Sequence, residues 1–75
     1  MDLNKADEMY RLLETFSEVG TRLKRLNTIL ETDRDNPSKR NICGFLVSPE
    51  LYYSIYEQIK SEYLTFYNEL KNKIE

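Results

Sequence analysis

Histidine is absent from this sequence, and cysteine and glycine are scarce: Cys43 is the single cysteine, and Gly20 and Gly44 are the two glycines. Without histidine the chain lacks the most frequent general base, and two distant glycines do not make a phosphate-binding loop. One cysteine and no histidine also exclude a disulfide framework or an ordinary zinc site within one chain. We therefore predict that the protein is not an enzyme and has no catalytic residues, cofactor or metal. Cys43 is predicted to be a reduced thiol, buried as a small apolar residue.

Long apolar runs are also absent. No run approaches the roughly 20 residues that a membrane-spanning helix needs, and residues 1–5 lack the apolar core of a signal peptide. We therefore expect a cytoplasmic protein without membrane contact. The net charge of −2 comes from 11 basic and 13 acidic residues, so the chain has no strong overall attraction for nucleic acid or anionic lipid.

Apolar residues at heptad spacing predict a first helix over about residues 5–33. Alternating intervals of three and four keep one stripe of side chains facing a partner helix. The stripe consists of Met9, Leu12, Phe16, Val19, Leu23, Leu26 and Leu30. Asn4 is a suitable N-cap, and Asn36-Pro37 prevents the helix from continuing.

Gly20 lies in the middle of this predicted helix. A glycine in a helix interior costs roughly 1 kcal/mol, so the segment could be two shorter helices. Val19 and Leu23 nevertheless keep the apolar stripe in phase across it. We predict one continuous helix, in which Gly20 lets a neighbouring side chain or backbone approach closely.

A second helix is predicted over about residues 49–74. Ser48 offers a capping hydroxyl, Pro49 suits the first helical position, and Glu50 complements the helix dipole. The apolar stripe of this helix consists of Tyr52, Tyr56, Ile59, Tyr63, Phe66 and Leu70, with Ile55, Tyr67 and Ile74 beside it.

The connection, residues 34–47, begins with turn-forming polar residues and ends in the apolar run Ile42 to Val47. This run is predicted to form a short strand or an extended segment, although a buried irregular connection is equally allowed. As a strand it would have no partner within the chain, and pairing with its copy in a second subunit would satisfy its backbone groups. The run is therefore one reason to expect a dimer.

These elements predict an all-α protein with a single domain over residues 1–75, folded as an antiparallel helical hairpin. Two helices cover only the sides that face each other, so we expect the hairpin to complete its core with another chain. A homodimer that closes a four-helix bundle is favoured, and a different protein that lays a helix into the groove is the alternative. The residues predicted to form the dimer core are Phe16, Leu23, Tyr56, Tyr63 and Phe66.

Five of the six tyrosines lie between residues 52 and 67, a composition that suits a protein interface. The alternative is that these tyrosines are core residues of the hairpin. We predict a protein-binding module, a regulator or inhibitor of the kind that phages and mobile elements carry, acting by occupying a partner protein's surface. Tyr53, Tyr67, Arg25 and Arg40 are the predicted partner contacts. The alternative function is nucleic-acid binding by the basic end of the hairpin, around Arg25 and Arg40.

Overall fold

The computed structural model describes residues 3–75 and contains two long helices joined by a short β-hairpin. Helix α1 spans Leu3–Glu31 and helix α2 spans Pro49–Ile74. Between them, strand β1 (Arg40–Ile42) pairs with strand β2 (Phe45–Val47). The predicted hairpin of two long helices is confirmed.

The end of α1 is set by a change in backbone conformation. Asp33 has a φ of 53°, in the left-handed region that ends many helices. The amide of Thr32 still donates to the carbonyl of Thr28 at 3.1 Å, and the Arg34 guanidinium donates to the carbonyl of Leu30 at 3.3 Å. The helix therefore ends two residues earlier than predicted. It also begins at Leu3, so Asn4 lies inside it and the predicted cap position is wrong.

Helix α2 begins as its sequence predicts. The Ser48 backbone is extended, with φ −64° and ψ 153°, and its hydroxyl accepts a hydrogen bond from the amide of Leu51 at 3.2 Å. Pro49 occupies the first helical position, and Glu50 lies in the first turn. The capping hydroxyl satisfies one of the amides that every helix start leaves unpaired.

The apolar run after residue 41 folds back on itself. Ile42 pairs with Phe45, and the two residues between them, Cys43 and Gly44, both have positive φ angles of 52° and 89°. Two positive φ angles in a two-residue loop are the requirement of a type I′ turn. The prediction that this strand has no partner within the chain is therefore wrong, and strand pairing no longer supports a dimer. Cys43 is exposed in the turn, so its predicted burial is also wrong.

The core lies in the seam between the helices. Its buried cluster consists of Val19, Leu23, Leu26 and Leu70, with Leu12, Phe16, Tyr56, Ile59, Tyr63 and Tyr67 packed against it. Four of the five residues predicted for a dimer core are thus already part of the core within one chain. Met9, at the start of the predicted stripe, is exposed.

Phe66 was predicted to lie in the apolar stripe and Tyr67 to contact a partner, but their positions are the reverse. Phe66 is 42% exposed, whereas the Tyr67 ring packs into the seam with its centroid 4.5 Å from that of Phe16. A Cβ atom built on Gly20 would lie 3.8 Å from Cε2 of Tyr67. Helix α1 is continuous through Gly20, as predicted, and Tyr67 is the side chain that lies next to it, at a distance that leaves room for a methyl group.

Replacing Gly20 with alanine is expected to raise the free energy of unfolding by about 0.5–1 kcal/mol, because alanine removes the entropic cost of a helical glycine. The added methyl group would meet Tyr67 at an ordinary van der Waals distance of 3.8 Å. Urea unfolding followed by circular dichroism, at equal protein concentrations, measures the difference. Gly44→Ala is the control: it should destabilise the protein, because its φ of 89° is strained for a side chain. A loss of stability in Gly20→Ala would show that the helices pack too closely for a methyl group.

The hairpin is a single elongated layer. Its Cα extents are 57 × 22 × 15 Å and its radius of gyration is 16.7 Å, against about 11 Å for a compact domain of this length. The chain exposes 6101 Å² of surface, whereas a compact monomer of its mass exposes about 4,900 Å². Each chain therefore has about 1,200 Å² more exposed surface than a globular protein of the same size.

Candidate protein-binding surfaces

Tyr53, one of the predicted partner contacts, is buried at 6% exposure. Its hydroxyl donates a 2.7 Å hydrogen bond to the carbonyl of Thr32, and the Arg34 guanidinium lies over its ring at 4.9 Å. Arg34 also bonds Glu57 at 3.2 Å. The expectation that Tyr53 is exposed is wrong, because this ring connects the start of α2 to the end of α1.

Arg40 is half-buried and directed into the connection. Its guanidinium donates to three backbone carbonyls, those of Ser38 at 2.8 Å, Asp33 at 2.7 Å and Asn36 at 3.1 Å. Charged hydrogen bonds to carbonyls are strong, and together they hold the connection in one conformation. Arg40 is therefore less exposed than predicted, because its two terminal nitrogens bind the connection.

The other tyrosines of α2 also make most of their contacts within the chain. The Tyr52 ring centroid lies 4.8 Å from that of Tyr56 and 5.1 Å from that of Tyr53, the second contact being edge-on. Burial raises the pKa of Tyr52, and the neighbouring hydroxyls of Tyr56 and Tyr53 raise it further against the opposing charge of Arg40. Tyr67 is half-buried against Phe16. The tyrosine cluster thus follows the alternative in which these residues form the core.

Apolar residues are exposed at the loop end of the hairpin instead. Phe45 is 73% exposed, Leu46 is 67% exposed, and Leu51 in the first turn of α2 is also exposed. We call these three residues the apolar tip. Sequence reasoning missed the tip because it read the run from Ile42 to Val47 as one continuous strand, extended segment or buried connection, without a turn inside it. The signal that could have found it is Cys43-Gly44, which places a tight turn inside the run.

The backbone of the apolar tip is well supported. Asn41 accepts a 3.0 Å hydrogen bond from the amide of Gly44 through its side-chain oxygen, which closes the turn. Arg40, at the start of β1, is anchored to the preceding connection as described above. Strand β1 also packs against α2. The exposed side chains therefore project from a β-hairpin whose first strand is anchored to the connection and to α2.

A second candidate surface is a groove along one face of the hairpin. It consists of two adjoining concavities that share Arg22 and Tyr63. We call it the interhelical groove. Its main lining residues are Glu18, Arg22, Arg25 and Ile29 from α1, and Ile59, Glu62, Tyr63 and Phe66 from α2. Of the four predicted partner contacts, only Arg25 is both exposed and placed on this surface.

The part of the chain that the structure describes, residues 3–75, contains no group of three or more acidic, cysteine or histidine residues that could hold a metal ion. Within the same residues, neither helix combines the length and the apolar character that crossing a membrane requires. Cys43 is exposed and free.

Comparisons with known proteins add no functional assignment. The chain matches no family model. No curated protein and no solved structure is similar to it at a significant level. Its function must therefore be inferred from the geometry of the apolar tip and the interhelical groove.

Proposed function

We propose that this chain is a non-enzymatic protein-binding module that recognises a partner protein through the apolar tip. The observation that carries the proposal is the exposure of Phe45 and Leu46, at 73% and 67%, on a braced β-hairpin. Such a module acts as a regulator or inhibitor by occupying part of its partner's surface. The partner site that fits is apolar and contacts both faces of the β-hairpin, because Phe45 and Leu46 are consecutive in β2 and project to opposite sides.

Rigid support makes these exposed side chains suitable for binding. Large apolar side chains in water favour burial, and a few such residues supply most of the binding energy in protein interfaces. A preformed loop loses little conformational entropy on binding. The Asn41 side chain closes the turn, and Arg40 anchors the adjacent connection, so much of that ordering is already present in the free chain.

Changing Phe45 and Leu46 together to serine should weaken partner binding by at least about 100-fold, because interface hot spots typically contribute 2 kcal/mol or more. The fold should remain intact, since both side chains are largely exposed. Affinity capture from an extract of the source organism, quantified by mass spectrometry, compares the variant with the unchanged protein.

Leu64→Ser is the matched control for this capture, because Leu64 is 44% exposed on α2, away from the loop end. The control should retain the partner that the tip variant loses. A partner retained by the Phe45→Ser, Leu46→Ser variant would contradict recognition through the apolar tip. Equal loss in both variants would show that the partner responds to general surface polarity.

Nucleic-acid binding, the alternative function, has less support. It requires Arg25 and Arg40 to contact phosphates together. The Arg40 guanidinium is occupied by three carbonyls of the connection, and Arg34 is paired with Glu57. Arg25 remains available, but it lies beside Ile29 and Ile59 in a largely apolar part of the groove.

We further propose that the module assembles as a dimeric four-helix bundle. The support is the exposed surface of the single-layer hairpin, about 1,200 Å² above that of a compact monomer. A stable interface of standard size buries about 800 Å² on each partner. A second layer packed on the interhelical groove would also cover Phe66, which is 42% exposed in the single chain.

A further inference from the structure

One pair of opposite charges lies across the interhelical groove, with a basic residue on the α1 wall and an acidic residue on the α2 wall. Arg22 from α1 and Glu62 from α2 line the same concavity, together with Tyr63 and Phe66. Arg25 lies one turn further along the α1 wall. Among residues 3–75, the ion pairs formed are Arg11 with Asp7 and Arg34 with Glu57, so Arg22 and Glu62 have no ion-pair partner there. Glu18 also lies on the α1 wall, beside Phe66.

We propose that the occupant of this groove is a second copy of the chain, related by a two-fold axis parallel to the helices. This rotation places α1 of each copy over α2 of the other. Arg22 of one copy then meets Glu62 of the second copy, and the symmetry produces this pair twice. Ile29, Ile59 and Phe66 are covered between the layers. The inference deepens the proposed dimer and rests on it.

Charge selects this orientation over the other two-fold arrangement. An axis that crosses the helices at a right angle would place α1 over α1 and α2 over α2. In the register that superposes the two grooves, Arg22 would then lie against Arg22 of the second copy, and Glu62 against Glu62. Juxtaposed like charges at an interface cost several kcal/mol. The perpendicular axis would also bring Glu18 of each copy near Arg25 of the other, since the two residues lie about one turn on either side of Arg22, and these two attractions offset part of that cost. The parallel arrangement has two Arg22–Glu62 attractions and neither repulsion.

The parallel arrangement brings both loop ends to the same end of the dimer. Cys43, the only cysteine, is exposed in the β-turn of the loop end, so it accepts one nitroxide label on the otherwise unchanged protein. The hairpin is 57 Å long but only 22 Å by 15 Å across. Two labels at the same end should therefore lie within about 40 Å of each other, given a layer spacing of about 10 Å.

Pulsed electron resonance on the labelled protein, combined with light scattering over a dilution series, measures both the distance and the mass. A dimer with a label distance below about 40 Å supports the proposal, given the layer spacing above. A dimer with labels about 50 Å or more apart would overturn it, because the two loop ends would then lie at opposite ends of the dimer, separated by most of the length of the helices. A folded monomer throughout the dilution series would overturn it as well.

Charge reversal tests the same contact without a label. Arg22→Glu alone and Glu62→Arg alone should each weaken the dimer by at least about tenfold, because each creates like-charged pairs across the axis. A mixture of the two single variants should form a heterodimer, since one copy then carries two acidic residues and the other two basic residues. Combining both changes in one chain should restore the homodimer.

Lys5→Glu is the matched control, because Lys5 is exposed on α1 and is not among the residues lining the groove. It should leave the mass unchanged, and circular dichroism should show the same helix content in every variant. Single variants that remain dimeric, or a mixture that forms no heterodimer, would overturn the proposed contact. The Phe45→Ser, Leu46→Ser variant should remain a dimer, so failure of tip recognition and failure of this interface are distinguishable.

Discussion

Replacing Tyr53 with alanine is expected to lower the free energy of unfolding by about 3–5 kcal/mol, the range found for truncating buried aromatic residues. The loss includes the 2.7 Å hydrogen bond to the Thr32 carbonyl and the contact with the Arg34 guanidinium at 4.9 Å. For a chain of 75 residues this is a large part of the total stability. The variant should therefore be largely unfolded at room temperature, as urea titration with circular dichroism would show.

Tyr53→Phe separates the ring from its hydroxyl. Phenylalanine keeps the packing under Arg34 and leaves the Thr32 carbonyl without its donor, which typically costs about 1–2 kcal/mol. The phenylalanine variant should therefore remain folded, with a lower urea midpoint. If the alanine variant were as stable as the phenylalanine variant, the ring would contribute little and Tyr53 would not connect the two helices as described.

Leu26→Ala is expected to lower the free energy of unfolding by about 2–4 kcal/mol, because it leaves a cavity in the seam between the helices. Leu26 is in the buried cluster with Val19, Leu23 and Leu70. A single layer of two helices has few other residues that could move in to fill the space. Differential scanning calorimetry at fixed protein concentration would show a lower midpoint and reduced unfolding enthalpy.

Leu64→Ala is the control for this prediction. It removes the same atoms from a leucine that is 44% exposed on α2. Its effect should be below about 1 kcal/mol, since little apolar surface returns to water. Equal effects of the two substitutions would contradict the position of the core. A larger effect at Leu64 would mean that Leu64 is covered by another chain in solution.

Local features of the sequence predicted the two helices well. Apolar intervals of three and four residues placed both stripes, and Ser48-Pro49 placed the start of α2 to the residue. Continuity through Gly20 followed from the phase of the flanking residues. These features depend on residues within one or two turns of each other, so they require no knowledge of the partner helix.

The candidate binding surfaces were predicted less well. Tyr53 was expected at the surface, because it lies off the heptad stripe of α2. It is buried because the connection folds back over it, with Arg34 and Arg40 next to its ring. Phe66 and Tyr67 are adjacent and both aromatic, so periodicity alone could not decide which one enters the seam.

The sequence by itself determined that this chain forms two long amphipathic helices with a turn between them, because periodicity, capping and turn formation are local. Only the tertiary structure decided how each helix is rotated about its axis. That rotation buries Tyr67 against Phe16 and Gly20 and leaves Phe66 exposed.

Tertiary packing also decided which charged side chains form hydrogen bonds or ion pairs within the chain. Arg40 is bound by the connection, whereas Arg22 and Glu62 face each other across the groove without an ion-pair partner among residues 3–75. These outcomes depend on contacts between residues far apart in the sequence, which no local pattern encodes.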